Sequence, residues 1–102
     1  MVALFRAVTQ IELDSIRSLA GRFHDSPHQG GEKGFFFSLE SALSFARNAS
    51  FVGGVTHFVV RTEAPDELVE HGRPHAAAGE GAGVYLAVGD LASLSPAVEV
   101  SF

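Results

Sequence analysis

The chain has no cysteine and no tryptophan, a single methionine and a single tyrosine, and seven lysines and arginines among 102 residues. Without cysteine there is no disulfide framework, no thiolate metal site and no cysteine nucleophile, and the redox compartment leaves no mark on the sequence. The formal net charge is −5 and no basic stripe is visible, so a nonspecific nucleic-acid binder is not expected. No apolar run approaches the ~20 residues of a membrane span, and the first residues lack the basic and apolar regions of a secretory signal. The expectations are therefore no nucleic acid, no membrane and a cytoplasmic location. Glycine is plentiful, at 11 residues, but it falls in connections and forms no repeat.

Apolar material is abundant. Hydrophobic residues make up 46% of the chain and charged residues 19%, which suits a packed core and not a disordered chain. Nine phenylalanines predict a phenylalanine-rich interior. The length fits one domain over residues 1–102, since single cores are typically built from ~100 to 150 residues.

Residues 2–8 read as a strand that is apolar throughout except for Arg6. Thr9-Gln10-Ile11-Glu12 is a capping box: the Thr hydroxyl receives the backbone N–H of Glu12, and the Glu12 carboxylate reaches back to the cap. Leu13, Ile16, Leu19, Ala20 and Phe23 then form the buried face of a helix that Gly21 can end, with Asp14, Ser15, Arg17 and Ser18 on the wet side. Residues 24–34 lack periodicity and read as a long loop. Phe35 to Phe37 form the second strand. Ser38 caps the next helix, Glu40 opposes its dipole, and Leu39, Ala42, Leu43 and Ala46 face the core.

Ser50 to Gly54 break that helix. Residues 55–63 alternate as a third strand whose better-buried face carries Phe58 and Val60. Pro65 to Leu68 is a short acidic helix, residues 71–83 a second long loop, Val84 to Val88 a fourth strand, Gly89 to Pro96 a turn or helical segment, and Ala97 to Phe102 a terminal strand. The expected fold class is α+β, a mixed sheet of about five short strands with two main helices.

Residues 33–46 are the most informative stretch, because an aromatic strand runs into a helix through one serine and such a junction can form a pocket. Arg6 is the second notable feature. A guanidinium inside an apolar strand needs a partner, either an internal carboxylate or a ligand.

Leu4-Phe5-Arg6-Ala7-Val8, a helix ending near Gly21-Arg22-Phe23, Gly34-Phe35-Phe36-Phe37-Ser38-Leu39-Glu40-Ser41-Ala42 and Thr56-His57-Phe58-Val59-Val60-Arg61-Thr62-Glu63-Ala64-Pro65 together resemble the small ADP-ribosyltransferase-like domains of bacterial polymorphic toxins. The likeness covers nearly the whole chain. It implies a compact α+β fold of that type and a cleft for NAD or a related nucleotide walled by Arg6, Phe35, Phe36 and Ser38. It also implies a carboxylate, Glu80 or Glu99, to assist glycosidic cleavage and transfer to a protein target. The residues themselves admit plainer roles: a helix cap for Ser38 and core packing for Phe35 and Phe36. The sequence departs from the family pattern in two places. Neither glutamate sits in a Glu-x-Glu or Gln-x-Glu arrangement, and Phe37 stands where many members carry a small polar residue, so an inactive relative fits as well as a transferase.

Other chemistry is poorly signposted. His24-x-x-x-His28 and His71-x-x-x-His75 have metal-ligand spacing, with Asp25, Glu32 or Glu70 as carboxylate partners. That spacing aligns imidazoles only on a helix, and both pairs fall in loops, so no metal is expected. His57 is unaccompanied by a second acid or base at diagnostic spacing. Neither Gly30 to Gly34 nor Gly79 to Gly83 has the spacing or context of a phosphate loop or a dinucleotide fingerprint, and no serine-hydrolase elbow occurs. Two functions remain in view: an NAD-binding, ADP-ribosyltransferase-like domain, active or inactive, and a noncatalytic ligand-binding or protein-interaction module. The second would include a homodimer paired through Val98 to Phe102.

Overall fold

The computed structural model describes residues 1–23, 32–53, 57–76 and 82–100. The N-terminal apolar run becomes β1 (Val2–Thr9), followed by α1 (Gln10–Ser18), β2 (Glu32–Phe36), α2 (Leu39–Gly53), β3 (His57–Ala64) and α3 (Asp66–Glu70). The chain then forms β4 (Arg73–Ala76), β5 (Ala82–Ala87), a 3₁₀ segment (Val88–Ser93) and β6 (Val98–Glu99). The α+β class is as expected. Among the described residues the sheet has six strands in the order β4-β5-β2-β1-β3-β6, and every neighbouring pair is antiparallel, so it is not mixed in its hydrogen bonding.

The reason lies in the placement of β1. Both β2 and β3 pair antiparallel with β1, one on each side, so they run parallel to each other with α2 as their crossover. This is a split β-α-β unit, in which the crossover skips a strand that fills the gap between its two ends. The helical connection that suggests parallel pairing is present, but β1 takes the hydrogen bonds. The sixth strand, β4, lies in a stretch expected as loop and pairs with β5 from Arg73 opposite Tyr85 to Ala76 opposite Ala82.

Alternation along the strands divides the sheet into two faces. Leu4 and Val8 of β1, Phe35 of β2, Val60 and Ala64 of β3, and Val84 and Leu86 of β5 build the larger core beneath Leu13 and Ile16 of α1. Phe5, Ala7, Phe36 and Val59 face the other way and pack under Leu39, Ala42, Leu43 and Ala46 of α2, the four positions whose spacing predicts a core face. Both faces of the sheet centre are therefore covered, and Val59 and Val60 are each buried although adjacent in sequence.

Helix ends follow local chemistry. Thr9 Oγ1 accepts the Glu12 amide at 3.3 Å, half of the expected capping box, while the Glu12 carboxylate turns to Arg6. At the other end of α1, Gly21 N donates to Ile16 O at 2.8 Å and Ala20 N to Arg17 O at 3.3 Å, the paired bonds of a Schellman ending. Ala20, one residue before the glycine expected to stop the helix, holds the left-handed position at φ 57°, and Gly21 follows at φ 89°. Leu19 and Ala20 therefore turn away from the core, while Phe23 returns to it. α2 continues to Gly53, through the residues expected to break it. Among the described residues no helix is long and apolar enough to cross a membrane.

Candidate functional site

Arg6 projects from β1 on the same face as Leu4 and Val8, under α1. All three guanidinium nitrogens donate to the protein: Nε to Glu12 Oε2 at 2.7 Å, Nη2 to Glu12 Oε1 at 3.0 Å and Nη1 to the Gly34 carbonyl at 2.9 Å. The pair is bidentate and mostly buried, with 13% of the Arg6 side chain and 17% of the Glu12 side chain exposed. The buried Lys33 ammonium lies 3.9 Å from Glu12 Oε2, and the Arg6 guanidinium sits 5.9 Å above the Phe35 ring. Of the two partners a strand arginine invites, the internal carboxylate is present.

The other groups expected to wall an NAD cleft are separated. Phe35 is buried in the larger core edge-on to Phe23 at 5.3 Å, whereas Phe36 is buried on the opposite face against Phe45 at 5.6 Å. Successive residues of a strand point to opposite faces, so the two rings cannot line one cleft from regular β2. Ser38 is exposed and acts as the cap of α2, its Oγ accepting the Ser41 amide at 3.1 Å and lying 2.9 Å from the Ser41 hydroxyl. Phe37 lies beyond the strand and is exposed. Glu80, one of the two candidate acids, lies outside the described residues, as do His24, Asp25 and His28.

Glu99, the other candidate acid, is on β6. Arg6 is opposite Val60 on β3 and Val60 is opposite Glu99, so Arg6, Val60 and Glu99 form one cross-strand row on the face covered by α1. The helix answers this row charge for charge. Glu12 in its first turn binds Arg6, Arg17 in its last turn binds Glu99 with Nη2 to Oε2 at 2.6 Å, and Leu13 and Ile16 are buried between them. The two ion pairs differ in environment. Arg6–Glu12 is enclosed, while Arg17 and Glu99 are 59% and 39% exposed.

The open pair stands on the rim of a cleft of about 300 Å3. Leu13, Ile16 and Val60 line it as buried residues, and Ala20, Gly21, Pro96 and Ala97 complete it. Close backbone contact fixes that wall: Ala97 N donates to Gly21 O at 2.7 Å, and a Cβ on Gly21 would stand 2.8 Å from Pro96 Cβ. The volume is at the low end of ligand pockets, with an apolar interior and two charged groups at the mouth. Sequence spacing assigns Arg17 only to the wet side of α1. Its meeting with Glu99 spans 82 positions and has no local signal.

Two further hollows, of about 180 and 390 Å3, flank His71 and Asp90. His71 Nδ1 lies 2.7 Å from the Glu67 carbonyl, which accepts its N–H. The larger hollow is lined by Pro65, Glu67, Leu68, His71, Asp90 and Ser93, all at least partly exposed, with Pro65 and half-buried Leu68 giving it apolar surface. Among the described residues no group of three His, Asp or Glu side chains is placed to hold a metal ion. No family model, no curated protein and no solved structure matches the chain.

Proposed function

We propose that this domain binds a small ligand without transforming it, in the cleft between α1 and β6. The observation that carries the reading is the contrast between the two ion pairs over the Arg6–Val60–Glu99 row. Arg6, the group a transferase would turn on NAD, is consumed internally by Glu12 and Gly34, whereas Glu99 with Arg17 opens onto an apolar cleft. The domain is in this view a noncatalytic relative of the ADP-ribosyltransferase-like domains that its motifs resemble.

One observation favours NAD handling as the second reading: Arg6 and Glu99 share a face and a row, as a guanidinium and a carboxylate acting on one dinucleotide must. It requires Arg6 to exchange Glu12 for a phosphate. Homodimerisation through the terminal strand has less to build on, because β6 is two residues long, although Val98 is 65% exposed at the sheet edge.

Amide chemical shifts separate these readings. Dilute isopropanol, an apolar probe with one hydroxyl, is expected to move residues 13, 16, 17, 20, 21, 97 and 99 in concert, and shifts scattered elsewhere would remove the binding reading. NAD is expected to leave residues 5–8 and 34–39 unmoved. Concerted NAD shifts there, lost in a folded Arg6→Ala protein, would reinstate the transferase-like cleft.

A further inference from the structure

We infer that β6 is the gate of the α1–β6 cleft: it swings on a hinge between Ala97 and Val98 and is latched shut by Arg17 and Glu99. The gating role rests on the binding reading above, whereas the hinge and the latch stand on contacts within the chain.

Burial is what calls for a gate. Leu13, Ile16 and Val60 line the cleft yet are each no more than 2% exposed, so with β6 in place a ligand meets the mouth and not the apolar floor. Val60 lies directly opposite Glu99 in the β3–β6 ladder, so lifting β6 uncovers it.

The hinge falls where the segment changes from firmly to loosely held. Up to Ala97 the anchors are several. Buried Thr62 donates its hydroxyl to Ser95 O at 2.6 Å, Ser95 Oγ accepts Glu63 N at 2.8 Å, Ser95 N donates to Glu63 O at 2.9 Å and Ala97 N donates to Gly21 O at 2.7 Å. Beyond Ala97 the ladder covers two positions and both strand residues are exposed. Val100 adds one backbone bond, to Val59 O at 2.9 Å, and a half-buried side chain against the smaller core. Few buried contacts and exposed hydrogen bonds make for low local stability. The Arg17–Glu99 bond at 2.6 Å ties this loose end to α1.

The latch is built to release. Asp14, one turn before Arg17 on α1, holds Oδ1 4.0 Å from Arg17 Nη1, so the rim carries two anions and one cation. When Glu99 leaves, Arg17 keeps a carboxylate beside it and the open state strands no unpaired guanidinium. With Arg17 59% and Glu99 39% exposed, the bond between them is weak and screened by salt.

Native-state hydrogen exchange without ligand tests the hinge and the latch. The Val100 amide reports on the moving side, and the Ser95 and Ala97 amides on the anchored side. Raising sodium chloride from roughly 0.01 M to about 1 M should speed Val100 exchange about two- to fivefold and leave Ser95, Ala97 and β1 unchanged. Arg17→Met, which keeps the apolar stem and removes the charge, should speed Val100 by a similar factor at low salt and abolish its salt response. Ser95 and Ala97 accelerating together with Val100 would overturn the hinge, and an Arg17→Met protein with the original Val100 protection would overturn the latch. Gating is tested with isopropanol: Arg17→Met should tighten its binding by the same factor as it speeds Val100, because the competent state is more populated. Equal affinity in the two proteins overturns the gating role and leaves the binding site standing. Isopropanol reaching the cleft in neither protein removes the binding reading and the gating role with it, while the exchange rates still decide the hinge and the latch.

Discussion

Alanine 20 is a residue out of its usual place. Left-handed backbone costs an L-residue roughly 1 to 2 kcal/mol that glycine avoids, and the C′ position of a Schellman ending is normally glycine. Here alanine stands at φ 57° and the glycine follows one position later. Ala20→Gly should raise stability by about 0.5 to 1 kcal/mol, after allowing for the extra freedom glycine has when unfolded, as read from urea midpoints. Gly21→Ala should do the opposite by about 2 kcal/mol or more, because φ 89° is strained for alanine and its Cβ would press on Pro96. Arg6 has a larger structural share. Truncating one partner of a buried bidentate pair typically costs about 3 to 5 kcal/mol, so Arg6→Ala should lower stability by roughly 3 kcal/mol and expose Glu12 and the Gly34 carbonyl. A loss below about 1 kcal/mol would mean that Arg6 is not tied into the fold and would return it to the list of ligand-binding groups.

Elements differ in how openly the sequence declares them, and the difference is physical. The start and core face of α2 are legible, since a serine cap and apolar residues at positions 39, 42, 43 and 46 act within a few residues of one another, whereas its end, at Gly53, is not. β4 is not, because Arg73-Pro74-His75-Ala76 has no alternation; it is strand because β5 offers it an edge. The cleft between α1 and β6 is the least legible, since Arg17 and Glu99 meet only after the sheet order is set. Glu12 was visible as a capping residue, but its carboxylate is claimed by a buried guanidinium, a stronger partner than a neutral backbone amide. The segment before β6 shows how such distant pieces are joined. Buried Thr62 donates its hydroxyl to Ser95 O at 2.6 Å, Ser95 Oγ accepts Glu63 N at 2.8 Å and Ser95 N donates to Glu63 O at 2.9 Å. Thr62→Val keeps the shape and deletes the first bond, so it should cost about 1 to 2 kcal/mol in urea unfolding. The cleft should loosen with it, since Pro96 and Ala97 follow directly and line its wall.

At the scale of the molecule, the order β4-β5-β2-β1-β3-β6 grades the sheet from its centre outward. β1 and β3 pair over eight consecutive positions, from Val2 opposite Ala64 to Thr9 opposite His57, with α1 on one face and α2 on the other. Opening that ladder requires both cores to open, so its amides should exchange only on global unfolding. β6 pairs at two positions and both its residues are exposed, so it can separate from β3 while the centre stays intact. Native-state hydrogen exchange should therefore give the amides bonded between β1 and β3 the full unfolding free energy and those at the β3–β6 contact several kcal/mol less. The distinction bears on the cleft, because Glu99 lies on a two-residue edge strand while Arg6 lies on a central strand. A ligand held between Arg17 and Glu99 would tie β6 to α1 and should slow exchange at Val100, whose amide donates to Val59 O, without changing that of β1. Equal slowing in both strands would place the ligand against the sheet centre instead, where Arg6 is.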